Sequence, residues 1–194
     1  MRIFVIVLIL IFSHQSWATA NDIYEFEIEG MSLGESLLNY FNKNQIDNFL
    51  NYDEGTDLKF RISEFYESSN FKISNYDVMQ VYYKPDDKKY VISGIRGALF
   101  CKSKSHCTNQ YKKIINDLKN SFSNFKNWSS EKFKHPDDKT GKSIVELLIL
   151  DLNTGYITVR YTDWSDKMDF SDNVDVEIGT MEVQKWLRSN YGNN

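Results

Sequence analysis

The sequence predicts an α+β fold, a mainly antiparallel sheet of about six to eight strands with about four helices packed around it. Three observations carry that prediction. Period-2 alternation recurs along the chain, as in Val174, Val176 and Ile178 set between Asn173, Asp175 and Glu177. Turn chemistry sits at hairpin spacing, at Lys84-Pro85-Asp86-Asp87 and at Asn153-Thr154-Gly155. Helical periodicity is confined to a few stretches, chiefly 108–122 and the segment from Thr180 onward.

The stretch from Met1 to Ala20 reads as a cleavable secretory signal peptide. Arg2 supplies the positive end, Ile3 to Phe12 form an unbroken apolar run, and Ala18-Thr19-Ala20 is a small-x-small cleavage site, which puts the cut between Ala20 and Asn21. The apolar run stops at Phe12. It covers only half the length that a membrane span needs, so the segment is too short to remain as an anchor. No integral membrane anchor is expected after cleavage. The remainder, 21–194, reads as a single soluble domain. The expected location is the periplasm or the extracellular space.

Charge narrows the partners. Only Arg2 is charged in the leader, so the net charge of −4 becomes −5 in the remainder. No basic stripe is present, and nucleic acid and anionic membrane both require clustered cations, so neither is expected as a partner. Cys101 and Cys107 are the only cysteines. In an oxidising compartment they most simply form one disulfide, whose short loop is worth roughly 2–2.5 kcal/mol in the chain-entropy account.

The elements follow in order. Tyr24 to Glu29 alternates as a strand with Tyr24, Phe26 and Ile28 on one face. Ser32-Leu-Gly-Glu35 has the form of a capping box, so a short helix is expected through Leu33, Leu37, Leu38 and Phe41. A second, capped by Asn44, would bury Ile46, Phe49 and Leu50, and 51–57 reads as polar loop. Strands are expected over 58–66, 78–83 and 90–95, with Gly94 and Gly97 marking bulges or close backbone approach. The Cys101–Cys107 loop leads into a helix whose buried side is Tyr111, Ile114, Ile115, Leu118 and Phe122. Further strands fall at 128–133, at 144–152 with both faces covered, and at 156–164 with Ile157, Val159 and Tyr161 inward. The last helix buries Val183, Trp186, Leu187 and Tyr191.

Several motifs invite chemistry, and each has a simpler structural use. Gly30-Met31-Ser32-Leu33-Gly34 matches the G-x-S-x-G nucleophile elbow and resembles that of the alpha/beta-hydrolase family, although the family's preceding βα units have no room here. Gly34-Glu35-Ser36-Leu37 resembles the GDSL block of the lipase/esterase family, which implies Ser36 as nucleophile and a catalytic histidine. His135-Pro136 fits that block, but Lys132 stands where the family has aspartate. A small serine hydrolase using Ser32 or Ser36 with His135 is therefore one alternative, and capping is the simpler use of the same letters. His135 to Ser143 ends like a phosphate-binding loop, yet Pro136 replaces its first glycine and a strand follows, so a solvated turn is expected. Cys101, His106, Cys107 and His135 do not have zinc-ligand spacing, and no metal or cofactor is expected.

Asp163, Asp166, Asp169, Asp172 and Asp175 recur every third residue and raise a calcium-dependent module as a second alternative. The EF-hand register started at Asp169 fails, with Val174 for glycine and Thr180 for glutamate, which leaves an acidic solvated loop. Tyr82, Tyr83, Tyr156 and Trp164 could face outward from strands, where rings stack on sugars or partner side chains. Asn127-Trp128-Ser129 is a glycosylation sequon, meaningful only on a eukaryotic route.

The opening Tyr24-Glu-Phe-Glu-Ile-Glu-Gly-Met-Ser-Leu-Gly-Glu-Ser-Leu-Leu-Asn-Tyr-Phe41 resembles the start of exported bacterial proteins with a YxFxIxGxSxGxSLLxYF pattern. Tyr76-Asp77, Lys89 to Gly97 and Asp138 to Ser143 are similar to their later blocks. That resemblance implies bacterial export and no particular activity. The sequence thus leads to a non-catalytic exported protein that binds a protein or saccharide partner.

Overall fold

The computed structural model describes residues 23–52, 59–68 and 71–191. Its main feature is an eight-stranded antiparallel sheet, with a two-stranded ribbon and three α-helices. The ribbon pairs β1 (Glu27–Ile28) with β2 (Met31–Ser32). The large sheet contains β3 (Leu50–Tyr52), β4 (Arg61–Phe65), β5 (Val78–Tyr83), β6 (Gly94–Phe100), β7 (Trp128–Lys134), β8 (Ile144–Asp151), β9 (Gly155–Asp163) and β10 (Asn173–Thr180). Their spatial order is β3-β4-β5-β6-β10-β9-β8-β7. The α+β expectation is met. The helices are α1 (Lys43–Asp47), α2 (Lys104–Ser121) and α3 (Met181–Tyr191).

One face of the sheet carries the main core. Ile95, Val174, Val176, Ile178, Ile157, Val159 and Leu148 are buried there beneath α2 and the N-terminal segment. Tyr111, Leu118 and Phe122 on the α2 side are buried as the periodicity requires. The helix starts at Lys104, ahead of the expected Thr108, because Ser103 caps it by accepting from the His106 N–H. The Cys101–Cys107 disulfide is present, with Cα atoms 5.4 Å apart, and ties the end of β6 to the first turn of α2.

At one end the opposite face is covered by α3. Val183 and Trp186 pack there on Phe60, Ile62, Tyr82 and Tyr156, with Leu187 at the margin. The close approaches expected at two glycines are real: a Cβ at Gly94 would stand 2.9 Å from the Tyr82 ring, and one at Gly97 2.7 Å from Tyr76.

Several local expectations are corrected. The periodicity predicts about four helices, and three α-helices form among the described residues; the missing one is the stretch after Ser32. Glu35 does accept from the Ser32 N–H, at 3.2 Å, but no α-helix follows. The backbone there pairs sideways instead, with Gly34 N–H on Ile92 C=O, Ile92 N–H on Glu35 C=O and Leu37 N–H on Tyr90 C=O. Groups committed to another segment cannot serve the i→i−4 ladder, and only a 3₁₀ turn at Leu37–Asn39 survives, capped by Ser36. The same pairing delays β6 to Gly94, so 84–93 is a long connection rather than a tight hairpin.

Tyr24 lies in a 3₁₀ turn at Ile23–Glu25 and is exposed, so the first strand shrinks to β1. α1 is capped by Asn42, not Asn44, because Asn42 and Gln45 form a reciprocal capping box. Leu50 is exposed instead of buried, and it opens β3, which runs into the segment expected as loop. The rest of that loop lies outside the described residues. β8, expected to be covered on both faces, is fully buried on neither: Val145, Leu148 and Leu150 are buried, Ile144, Glu146, Leu147 and Ile149 are half-buried, and Asp151 is exposed. Tyr191 belongs to α3, and Ala20 and Asn21 lie outside the described residues.

Candidate functional site

The candidate nucleophiles occupy structural positions. Ser32 sits in β2. Ser36 Oγ accepts from the Leu38 N–H and donates to the Lys89 carbonyl. Ser36 bridges Val91 beside the end of the sheet holding Gly94, Gly179 and Tyr156, whereas His135 follows β7 beside Ser143 and Trp164, at the opposite ends of those strands. The fold does not bring Ser32 or Ser36 to His135. The His135 ring lies 4.2 Å from that of Trp164, and burial lowers its pKa below the ordinary histidine value despite nearby Asp137.

The turn at 135–143 is not merely solvated, because Asp138 and Ser143 are buried. Asp138 Oδ1 accepts from Thr140 N–H and Oγ1, at 2.8 and 2.7 Å. Its Oδ2 accepts from Ser143 N–H and Oγ and from Ser165 Oγ, at 2.8, 2.6 and 2.9 Å. Phosphate-loop letters therefore serve an internal carboxylate that fastens the β7–β8 turn to the segment after β9. Hydrogen bonds from Ser143 and Thr140 hold its pKa well below the ordinary 3.8.

A depressed carboxylate pKa stabilises the fold above the unfolded value, and that contribution is lost as pH falls below it. Asp138→Asn is expected to lower the melting temperature by a constant amount between pH 8 and pH 5, with the gap closing below about pH 3.8. Melting curves of both proteins across that range check this; a pH-independent gap would contradict it.

The aspartates at 163–175 do not converge on one point. Asp163 pairs with Lys104, Asp172 accepts from the Trp164 N–H, and Asp175 lies in β10 bound to Arg96. Among the described residues no three His, Cys, Asp or Glu side chains group as metal ligands. Cys101 and Cys107 are bonded to each other.

The outward aromatic platform is corrected too. Tyr82, Tyr83 and Tyr156 are buried, and Trp164 packs between His135 and Phe170. Tyr82 and Tyr156 both donate to Glu177, the former at 3.0 Å. They belong to a polar band crossing the sheet on the α3 side. In that band Tyr66 OH and Gln80 Nε2 donate to the two oxygens of Glu64, Arg96 Nη1 reaches Gln80 Oε1, and Arg96 Nη2 binds Asp175 at 2.9 Å. In register, Glu177 lies opposite Arg96 and Asp175 opposite Arg160. Alternation alone places Asp175 and Glu177 in solvent, yet they are only 1% and 6% exposed. Their charges are compensated by neighbouring cations and hydroxyl donors, as buried carboxylates require.

At the end of β4 the band meets a cavity of about 610 Å³. Phe41, Phe49, Phe65 and Tyr66 supply rings, while Asn42, Asn44, Gln45 and Asn48 of the α1 region supply carboxamides. Sequence reasoning missed it because it used only Asn44, as a helix cap; the signal was the run of carboxamides between Asn42 and Asn48, flanked by phenylalanines.

Fold and site define an α+β protein, mostly sheet, with one densely packed face and a partly covered polar one. Compared with family models, curated proteins and solved structures, the chain finds no match in any of the three. Among the described residues no helix is long and apolar enough to cross a membrane.

Proposed function

We propose that this chain is exported and acts by binding, without catalysis. The observation that carries the reading is the fate of the reactive side chains. Ser32 stands in β2 of the N-terminal ribbon, Ser36 Oγ is bonded to the Leu38 N–H and the Lys89 carbonyl, and His135 packs against Trp164 at the other end of the strands. Asp175 and Glu177 are sealed by Arg96, Tyr82 and Tyr156. A general base must reach the proton it removes, and a nucleophile needs such a base beside it. His135 serves neither Ser32 nor Ser36. The ring- and amide-lined cavity stays open, and it is the kind of concave surface that small ligands occupy. Export is supported by the leader-like stretch from Met1 to Ala20 and by the cystine.

A fluorophosphonate probe on the purified protein tests the non-catalytic half. No covalent labelling is expected. Labelling that disappears in Ser32→Ala or Ser36→Ala would overturn the reading in favour of a small serine hydrolase.

A further inference from the structure

From the cavity at the end of β4 we infer that the ligand is a neutral oligosaccharide, an inference that rests on the binding reading above. Charge excludes most alternatives. No lysine, arginine or histidine is among the described residues lining the cavity, so an anion finds no counter-charge. The single carboxylate among the described lining residues, Glu64, already accepts from Tyr66 OH at 2.6 Å and Gln80 Nε2 at 2.8 Å, so a cation would have to displace bonds already made. A ligand that binds here without such loss is uncharged.

The polar groups are fixed in complementary sense. Asn42 Oδ1 accepts from the Gln45 N–H at 3.0 Å, and Gln45 Oε1 accepts from the Asn42 N–H at 2.9 Å. Both side-chain oxygens are thereby turned to the backbone, and both NH₂ groups remain to donate. Asn48 is set the other way: its Nδ2 donates to the Asn44 carbonyl at 2.7 Å, leaving Oδ1 to accept. Donors and an acceptor held side by side suit hydroxyl groups, which do both.

The rings supply the apolar half. Phe65 and Phe41 are buried and form the floor, with Phe49 stacked on Phe65 at 5.0 Å. Tyr66 is 56% exposed, yet its hydroxyl is anchored on Glu64, so the ring is oriented before any ligand arrives. A pyranose offers a C–H face to such a ring and hydroxyls at its rim. Pre-orientation spares the entropy of ordering the tyrosine on binding.

The test uses ¹⁵N-labelled full-length protein and three probes: maltohexaose, cellohexaose and chitohexaose at millimolar concentration. At least one is expected to shift the side-chain NH₂ signals of Asn42 and Gln45. Tyr66→Ala should weaken that binding about tenfold, while Tyr66→Phe, which keeps the ring, should stay within about threefold. If no probe moves those amide signals, or if Tyr66→Ala binds as the natural protein does, the saccharide site is overturned. That failure is distinct from failure of the binding reading, which serine labelling would reveal whatever the amide signals do.

Discussion

Replacing Gly155 by alanine is expected to cost about 3 kcal/mol, which for a chain of this size lowers the melting temperature by about 6–12 °C. Gly155 opens β9 opposite Thr180, and a Cβ there would stand 2.2 Å from the Gly179 carbonyl oxygen and 3.1 Å from Ile23. Neither can yield cheaply. Gly179 pairs with Gly94 on one side and Tyr156 on the other, so moving its carbonyl disturbs two ladders at the centre of the sheet. Ile23 is fully buried. Asn153→Ala, an exposed change in the same turn, is the control and should be nearly silent. Thermal unfolding followed by circular dichroism decides the matter; a loss below about 1 kcal/mol for Gly155→Ala would mean that β9 does not start against β10 as described.

The second large effect appears in alkali. Burial, and then the charge of Glu177, raises the Tyr82 and Tyr156 hydroxyls well above the ordinary 10.0. Burial also pushes Tyr76 and Tyr111 up to about 12. The folded state therefore holds these protons more tightly than the unfolded chain. Their contribution is fully present below about pH 10 and is lost as pH rises above it. Each tyrosine withheld costs about 1.4 kcal/mol per pH unit, so the buried pair on Glu177 alone removes about 2.7 kcal/mol per unit. Against a typical stability of roughly 5–15 kcal/mol, cooperative unfolding is expected within a few units above pH 10.

Tyrosinate absorbance at 295 nm should accordingly rise in two phases. Exposed members of the 12 tyrosines ionise first, and Tyr82 and Tyr156 ionise only as the far-ultraviolet signal collapses. A single smooth titration near pH 10 with the fold intact would contradict the buried placement.

Most of the sheet was legible because its strands carry their own evidence. Ile157, Val159 and Tyr161 alternate with polar residues, and Asn153-Thr154-Gly155 supplies a hairpin turn, so β8 and β9 follow from local rules. The same holds for α2, whose apolar stripe faces the core as its spacing demands. The N-terminal region was misread because its outcome depends on distant partners. Ser32 and Glu35 have the letters of a capping box, but Ile92 and Tyr90 take the backbone bonds that a helix would have used.

The polar band was hidden for a related reason. Asp175 and Glu177 alternate as a solvent face should, but Asp175 meets Arg96, 79 positions away, and Glu177 meets Tyr82, 95 positions away. Only strand order brings those groups together. The tyrosines were likewise placed on their strands correctly, and the last helix was expected, but not its position: Val183 and Trp186 of α3 close over Tyr82 and Tyr156.

Export is the premise beneath the cystine, the single mature chain and the kind of ligand the cavity would meet. Intact-mass analysis of the protein purified from its native cells, with N-terminal sequencing, tests it most directly. The expected product starts at Asn21, lacks everything from Met1 to Ala20 and gains two thiols only after reduction. Recovery of the whole chain from Met1, with Cys101 and Cys107 as free thiols, would contradict it.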